Sequence, residues 1–243
     1  MIQNSFIFLP KINIKKEQSI WKQGITNWNK FLTANKIKGI SDKSKLIYNE
    51  LIKQAKQALL EEDLSFFIKH FKQKHIFRLY SYFKDSLLFL DIEPFSKKDI
   101  LLVGLFDGYE TKTLIKSINL DKNNLEREIN KCKLLITFNG SAYDIPMLKK
   151  VLKLEIKIPH IDLKQLCINL NYKGGLKEIE NILNLKRPIH LKGSPFDAYK
   201  TFLASQDQEY LDLIIQYNQE DIINLKPIAE FIIKETWNKL YHY

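Results

Sequence analysis

Near Arg78 the spacing of apolar residues changes from helical to strand-like, and that change divides the chain into two kinds of structure. Ahead of it, FLPKINIKKEQSIWKQGITNWNKFL spaces its apolar residues irregularly and predicts short helices joined by a turn at Gly24. After the Lys-rich NKIKGISDKSK, Asp42 or Ser44 is expected to cap a helix through LIYNELIKQAKQALL, with another around Leu64 to Phe71. Beyond Arg78, SYFKDSLLFLDIE, KDILLVGLFDG and YETKTLIKSI read as three strands, with Gly108 at the second hairpin turn. Asn123 to Lys131 predicts a helix, KLLITF a short buried strand, Ala142 to Leu152 a helix and EIKIPHIDL a strand; the remainder is mostly helical. Three antiparallel strands followed by alternating helix and strand describe an α/β fold, a mixed β-sheet flanked by helices. The expected division is a helical N-terminal region over 1–78 and an α/β domain over 79–243.

Hydrophobic residues make up 45% of the chain, enough for a buried core and too many for a disordered one. Apolar runs such as Leu87 to Leu90 and Ile100 to Val103 are far too short to span a bilayer. The first residues place their lysines after the short apolar stretch, the wrong order for a signal peptide. Cys132 and Cys167 alone provide neither a disulfide framework nor a Cys-rich zinc site, which fits a reducing cytosol and a cytoplasmic location. The net charge of +10 is compatible with a polyanionic partner. Of the 38 basic residues, however, only Arg78, Arg127 and Arg187 are arginines, and A+T-rich coding alone would also produce such a lysine excess.

Three short patterns carry chemistry. In LLFLDIEPF a strand puts Asp91 and Glu93 on one face and Ile92 on the other. Two neighbouring carboxylates at the margin of a buried sheet repel unless a cation neutralises them, although a solvated strand end would look the same. In LLITFNGSAYDIPML a buried strand runs into the turn Asn139-Gly140-Ser141, and Asp144 falls in the first turn of the next helix. The helix dipole favours an acid there in any protein, while the carboxyl end of a strand is also where α/β sites gather. Asn139 would shape the turn or touch substrate. In YLDLIIQYNQEDIINLKPI, Tyr217 and Asp221 are four apart on one helical face, as functional partners or as a packed ring beside a solvated acid.

In this order and spacing, the three patterns resemble the exonuclease motifs of the DEDD family, Tyr subtype. HIDL (160–163), GGLKEIE (174–180) and YNQEDIINL (217–225) are similar to segments of a bacterial and archaeal group of RNase H-like exonucleases, as is the N-terminal leader. The resemblance implies an RNase H-like fold and a 3′–5′ exonuclease acting on single-stranded DNA or RNA. It further implies two divalent cations, Mg²⁺ or Mn²⁺, held by Asp91, Glu93, Asp144 and Asp221, with the Tyr217 hydroxyl orienting the attacking water. A phenol is a poor free base, so that role is positioning. A nucleic-acid-binding module with weak or vestigial nuclease activity is the alternative.

Other features read as structural. His160 and Asp162 share a strand face, and Asp162 is either structural or a support for the neighbouring acids. His190, Lys192 and Ser194 read as a surface loop, and Trp21 and Trp28 as core. Neither a G-x-S-x-G elbow nor a Walker loop is present.

Overall fold

The computed structural model describes residues 1–96, 98–191 and 195–241. Lys192 and Ser194 lie outside the described residues. The chain divides into two compact units, Met1–Lys84 with Ile233–Tyr243, and Asp85–Ile232. The first unit thus extends past the expected boundary at 78 and takes in the end of the last helix.

The first unit holds helices α1 (Ile14–Trp21), α2 (Trp28–Thr33), α3 (Asp42–Leu60) and α4 (Leu64–His70), followed by a 3₁₀ segment over Gln73–Leu79. Gly24 turns the chain between α1 and α2 with φ +80°. The cap of α3 is Ser41, ahead of both expected residues, Asp42 and Ser44: its hydroxyl accepts from the Ser44 amide, and Asp42 becomes the first helical residue. Trp21 and Trp28 are core residues, each donating its indole N–H to a backbone carbonyl, of Asn4 and Ser5 respectively. Glu17 and Arg78 are both wholly buried, their ion pair 2.7 Å long; Glu17 also accepts from the Phe6 and Ile7 amides. Both oxygens of the buried carboxylate are therefore matched by donors, as burial of such a charge requires.

The second unit is a five-stranded mixed sheet with helices. Strands β1 (Leu87–Ser96), β2 (Asp99–Phe106) and β3 (Thr111–Ile115) form an antiparallel meander, and Gly108 (φ +99°) makes the β2–β3 turn. Helix α5 (Lys122–Ile129) leads to β4 (Leu134–Thr137), and α6 (Asp144–Leu152) to β5 (His160–Asp162). β4 pairs parallel with β1, and β5 parallel with β4, in the order β3-β2-β1-β4-β5. The strand expected over 155–163 shrinks to its last three ladder residues; Pro159, which lacks an amide hydrogen, contributes only its carbonyl, to Leu135. Then follow α7 (Leu163–Asn169), α8 (Leu176–Ile182), α9 (Pro195–Ser205) and the long α10 (Gln208–Tyr241).

Alternation along β1 decides what faces what. Leu88, Leu90 and Ile92 enter an apolar cluster with Leu125, Ile129 and Leu148, from α5 and α6. The intervening residues, including Asp91 and Glu93, point to the opposite face. No helix among the described residues is long and apolar enough to cross a membrane.

Candidate active site

The acids of β1, α6 and α10 come together on one side of the sheet. Carboxylate oxygens of Asp91, Glu93 and Asp221 all lie within 4.8 Å of one another. Asp144 is held against the same strand. β4 pairs with β1 only through Phe89, so the next β1 amides on that edge have no strand partner, and Ile92 donates to Asp144 Oδ1 at 3.1 Å. Asp144, 3% exposed, thus closes the gap that β4 leaves and sits at the amide between the two β1 acids.

Helix α10 supplies more than Asp221. Asn218, fully buried, donates from Nδ2 to Asp91 Oδ2 at 2.8 Å. Its side chain crosses directly over Gly104, the β2 residue in register with Asp91, where a Cβ would lie 1.7 Å from Asn218 Oδ1. Gly104 is therefore the space through which α10 reaches β1. Tyr217, on the same helix, has a buried ring beneath Lys177 Nζ at 5.7 Å, and its hydroxyl donates to the His190 carbonyl at 3.4 Å.

Asp221 is engaged from the other side by Arg187, whose Nη2 donates to Asp221 Oδ1 and to Glu180 Oε1, while Nε donates to Glu180 Oε2 at 2.7 Å. Asn224, one turn beyond Asp221, donates to Glu180 as well, at 3.0 Å. The result is a closed ring joining α8, the segment after it and α10. Only the planar fork of arginine makes these contacts together.

The turn before α6 is built by Asp162. Its carboxylate accepts from the amides of Asn139, Ser141 and Lys164 at 2.9, 3.0 and 3.1 Å. Asn139 adopts the left-handed conformation (φ +68°), which asparagine tolerates, so it shapes the turn. Gly140 donates to Thr137 Oγ1, and a Cβ there would lie 2.1 Å from that oxygen. His160 Nε2 contacts the same hydroxyl at 2.8 Å. Burial pushes the imidazole down to about 4, against the opposing charge of Asp162.

Gathering so many acids in a buried place changes their chemistry. Burial, then the charges of Asp144, Glu93 and Asp221, raise Asp91 well above the usual carboxylate range, with the Asn218 bond opposing. Glu93 is pushed up to about 8 by burial and by Asp221 and Asp144, Lys177 working against them. Burial takes Asp144 to about 7, opposed by its own backbone amide and that of Ile92. Asp221 is also raised by burial, with Arg187 the main opposing charge. The cluster is short of positive charge, and its donors are all oxygens.

A family model described as the RNase_H superfamily matches residues 88–233, more than half of the chain. This chain belongs to the RNase H superfamily. The match opens at β1 and takes in every acid of the cluster. No curated protein matches the sequence. Among solved structures, this RNase H-like chain is similar to the family B DNA polymerase of the hyperthermophilic archaeon Pyrobaculum calidifontis, with TM-score 0.51 and 12% identity over 60% of this chain. It also matches Escherichia coli RNase D, an exoribonuclease involved in structured RNA processing, with TM-score 0.48 and 18% identity over 68% of this chain. The chain spans 24% of the polymerase and 43% of the ribonuclease.

All five acids and phenols singled out in the sequence thus lie on β1, α6 and α10 of the RNase H-like unit. Asp91, Glu93 and Asp221 meet, Asp144 holds the strand between the first two, and Tyr217 bonds to a backbone carbonyl. Asn218, Arg187, Glu180 and Gly104 were given no role from the sequence.

Proposed function

We propose that this chain is a metal-dependent nuclease, specifically a 3′–5′ exonuclease on single-stranded DNA or RNA, of the DEDD family, Tyr subtype. The observation that carries the reading is the meeting of Asp91, Glu93 and Asp221 oxygens within 4.8 Å, with Asp144 bonded to the amide between the first two. An all-oxygen donor set, crowded and short of positive charge, fits hard divalent cations such as Mg²⁺ or Mn²⁺. Asp91, Glu93, Asp144 and Asp221 would hold two of them. When bound, such a pair supplies a nucleophilic hydroxide at neutral pH and offsets charge on the phosphoryl and leaving oxygens.

The chain's own residues prepare that place. Asn218 fixes the orientation of Asp91, the Ile92 amide fixes Asp144, and Arg187 fixes Asp221. Tyr217 is assigned to orienting the attacking water, for which its hydroxyl exchanges the 3.4 Å bond to the His190 carbonyl. Asn139 is assigned to substrate contact from the turn ahead of α6.

One observation favours a second reading, a nucleic-acid-binding module of repair or RNA processing with weak or vestigial activity. The Arg187 guanidinium already satisfies one oxygen of Asp221. Single- and double-stranded DNA and RNA, labelled at either end and incubated with Mg²⁺, Mn²⁺ or EDTA, separate the two. The nuclease reading expects mononucleotide release from 3′ ends, dependent on the cation and lost in Asp91→Asn. Strand binding without cleavage at saturating Mn²⁺ would establish the second reading.

A further inference from the structure

The positive charge of the chain is segregated. Counting side chains, the first unit carries 18 Lys and Arg against 7 Asp and Glu; the second carries 20 against 21. The first unit is therefore +11 and the second −1, which together make the +10 of the whole. Compositional drift toward lysine acts along an entire coding sequence and does not explain this asymmetry.

Within the first unit the charge converges on a cleft of 680 Å³ between the start of α1 and the segment after α4. Lys11, Lys15, Lys72 and Lys74 line it with His70 and His75, and no acid does. The four lysines are exposed, over a floor that includes buried Phe8 and Ile12. An apolar floor strengthens the field of charges at its rim. Glu17, the acid nearest in sequence, is consumed by Arg78 and two amides.

Two further unpartnered polar groups belong to this place. Asn13 caps α1 by accepting from Lys16, leaving Ile14 and Lys15 as first-turn amides without an intrahelical acceptor. His75 is 5% exposed, and its Nδ1 has no hydrogen-bond partner. Lys11 is held in the left-handed region (φ +61°) at the cleft edge, a conformation costly for lysine.

We infer that this cleft is a binding site for the phosphodiester backbone of a single-stranded nucleic acid, and that holding the strand is what the helical unit contributes. Lysine ammonium groups and helix-start amides recognise phosphate without reading bases, so affinity for the strand is separated from cleavage. The ligand class rests on the function proposed above; the site does not share a residue with it.

The test is fluorescence anisotropy of the full chain with labelled single-stranded DNA and RNA in EDTA, across a salt series. Lys72→Glu/Lys74→Glu and Lys11→Glu/Lys15→Glu are each expected to raise Kd by about tenfold or more. Each should also flatten the salt slope by about 0.7 for every phosphate that is no longer neutralised. Lys36→Glu/Lys43→Glu, with the same charge change on exposed lysines outside the cleft, is expected to stay within about twofold. Glutamine versions at the same positions, checked for an unchanged thermal midpoint, guard against misfolding. Equal weakening by the control pair, or unaltered binding by the cleft pairs, would overturn the site. Cleavage with Mg²⁺ is scored separately. If the wild type cleaves while the cleft variants still bind normally, this inference fails and the nuclease stands. If the wild type does not cleave but cleft variants lose the strand, the nuclease fails and the binding site stands.

Discussion

Replacing Gly104 by alanine would set a methyl group 1.7 Å from Asn218 Oδ1, so the side chain that steadies Asp91 must move. Overpacking at a buried site costs about 1–3 kcal/mol, and the Asn218–Asp91 bond is broken with it. The expected result is a lowered urea midpoint together with weaker Mn²⁺ binding by titration calorimetry. Arg187 offers a second residue-level test. Its guanidinium compensates buried Glu180 and half-buried Asp221, and removing one partner of a buried ion pair costs about 3–5 kcal/mol. Arg187→Met should approach that figure in chemical denaturation. Arg187→Lys keeps the charge but not the fork, and should recover only part of it.

At the scale of elements, the turn 139–141 hangs on Asp162. Asp162→Ala deprives three amides of a charged acceptor, an expected loss of about 2–4 kcal/mol. Faster hydrogen exchange at Asn139 and Ser141, with β3 unchanged, would locate the effect. The same turn marks the limit of what the sequence made legible. Strand alternation was enough to put Asp91 and Glu93 on one face, and a buried run ending in Asn-Gly-Ser was enough to start a helix at Asp144. Those signals are local. Asn218 finds Asp91 across 127 positions and Arg187 finds Asp221 across 34, and no periodicity encodes such pairings. Rarity was the one available hint, since a chain so poor in arginine keeps two of its three where a carboxylate must be gripped by two nitrogens. The start of α3 misled in a smaller way, because Ser41, Asp42 and Ser44 are all good capping residues and cannot be ranked without the backbone. Pro159 likewise sits inside an apolar stretch that reads as a longer strand than the ladder forms.

For the molecule as a whole, protons would compete with the cations proposed for the acidic cluster. Glu93 near 8 and Asp144 near 7 take up protons on folding, because both titrate lower in an unfolded chain. Groups raised in this way stabilise fully below their unfolded values, and that contribution is lost as pH rises through the folded ones. His75, pushed to about 3 by burial and by Arg78, Lys74 and Lys72, and His160, near 4, act in the opposite sense. Their contribution is complete above 6.5 and is lost as pH falls toward those values. Between pH 6.5 and 8 the raised acids outweigh the N-terminal amine, which burial and Arg78 hold below 8.0 and which acts in the same sense as the histidines, so thermal midpoints in EDTA should fall across that window. Saturating Mg²⁺ should remove the slope by taking the place of the protons. A midpoint in EDTA that climbs over the same window would contradict the arrangement of the cluster.

The fit of Asn218 over Gly104 also restricts the routes by which such a chain can vary over generations. A larger residue at 104 is obstructed while asparagine stands at 218, whereas a smaller residue at 218 makes room and gives up only the bond to Asp91. The helix must therefore yield before the sheet can, and Gly104→Ala should be far better tolerated in an Asn218→Ala background than alone.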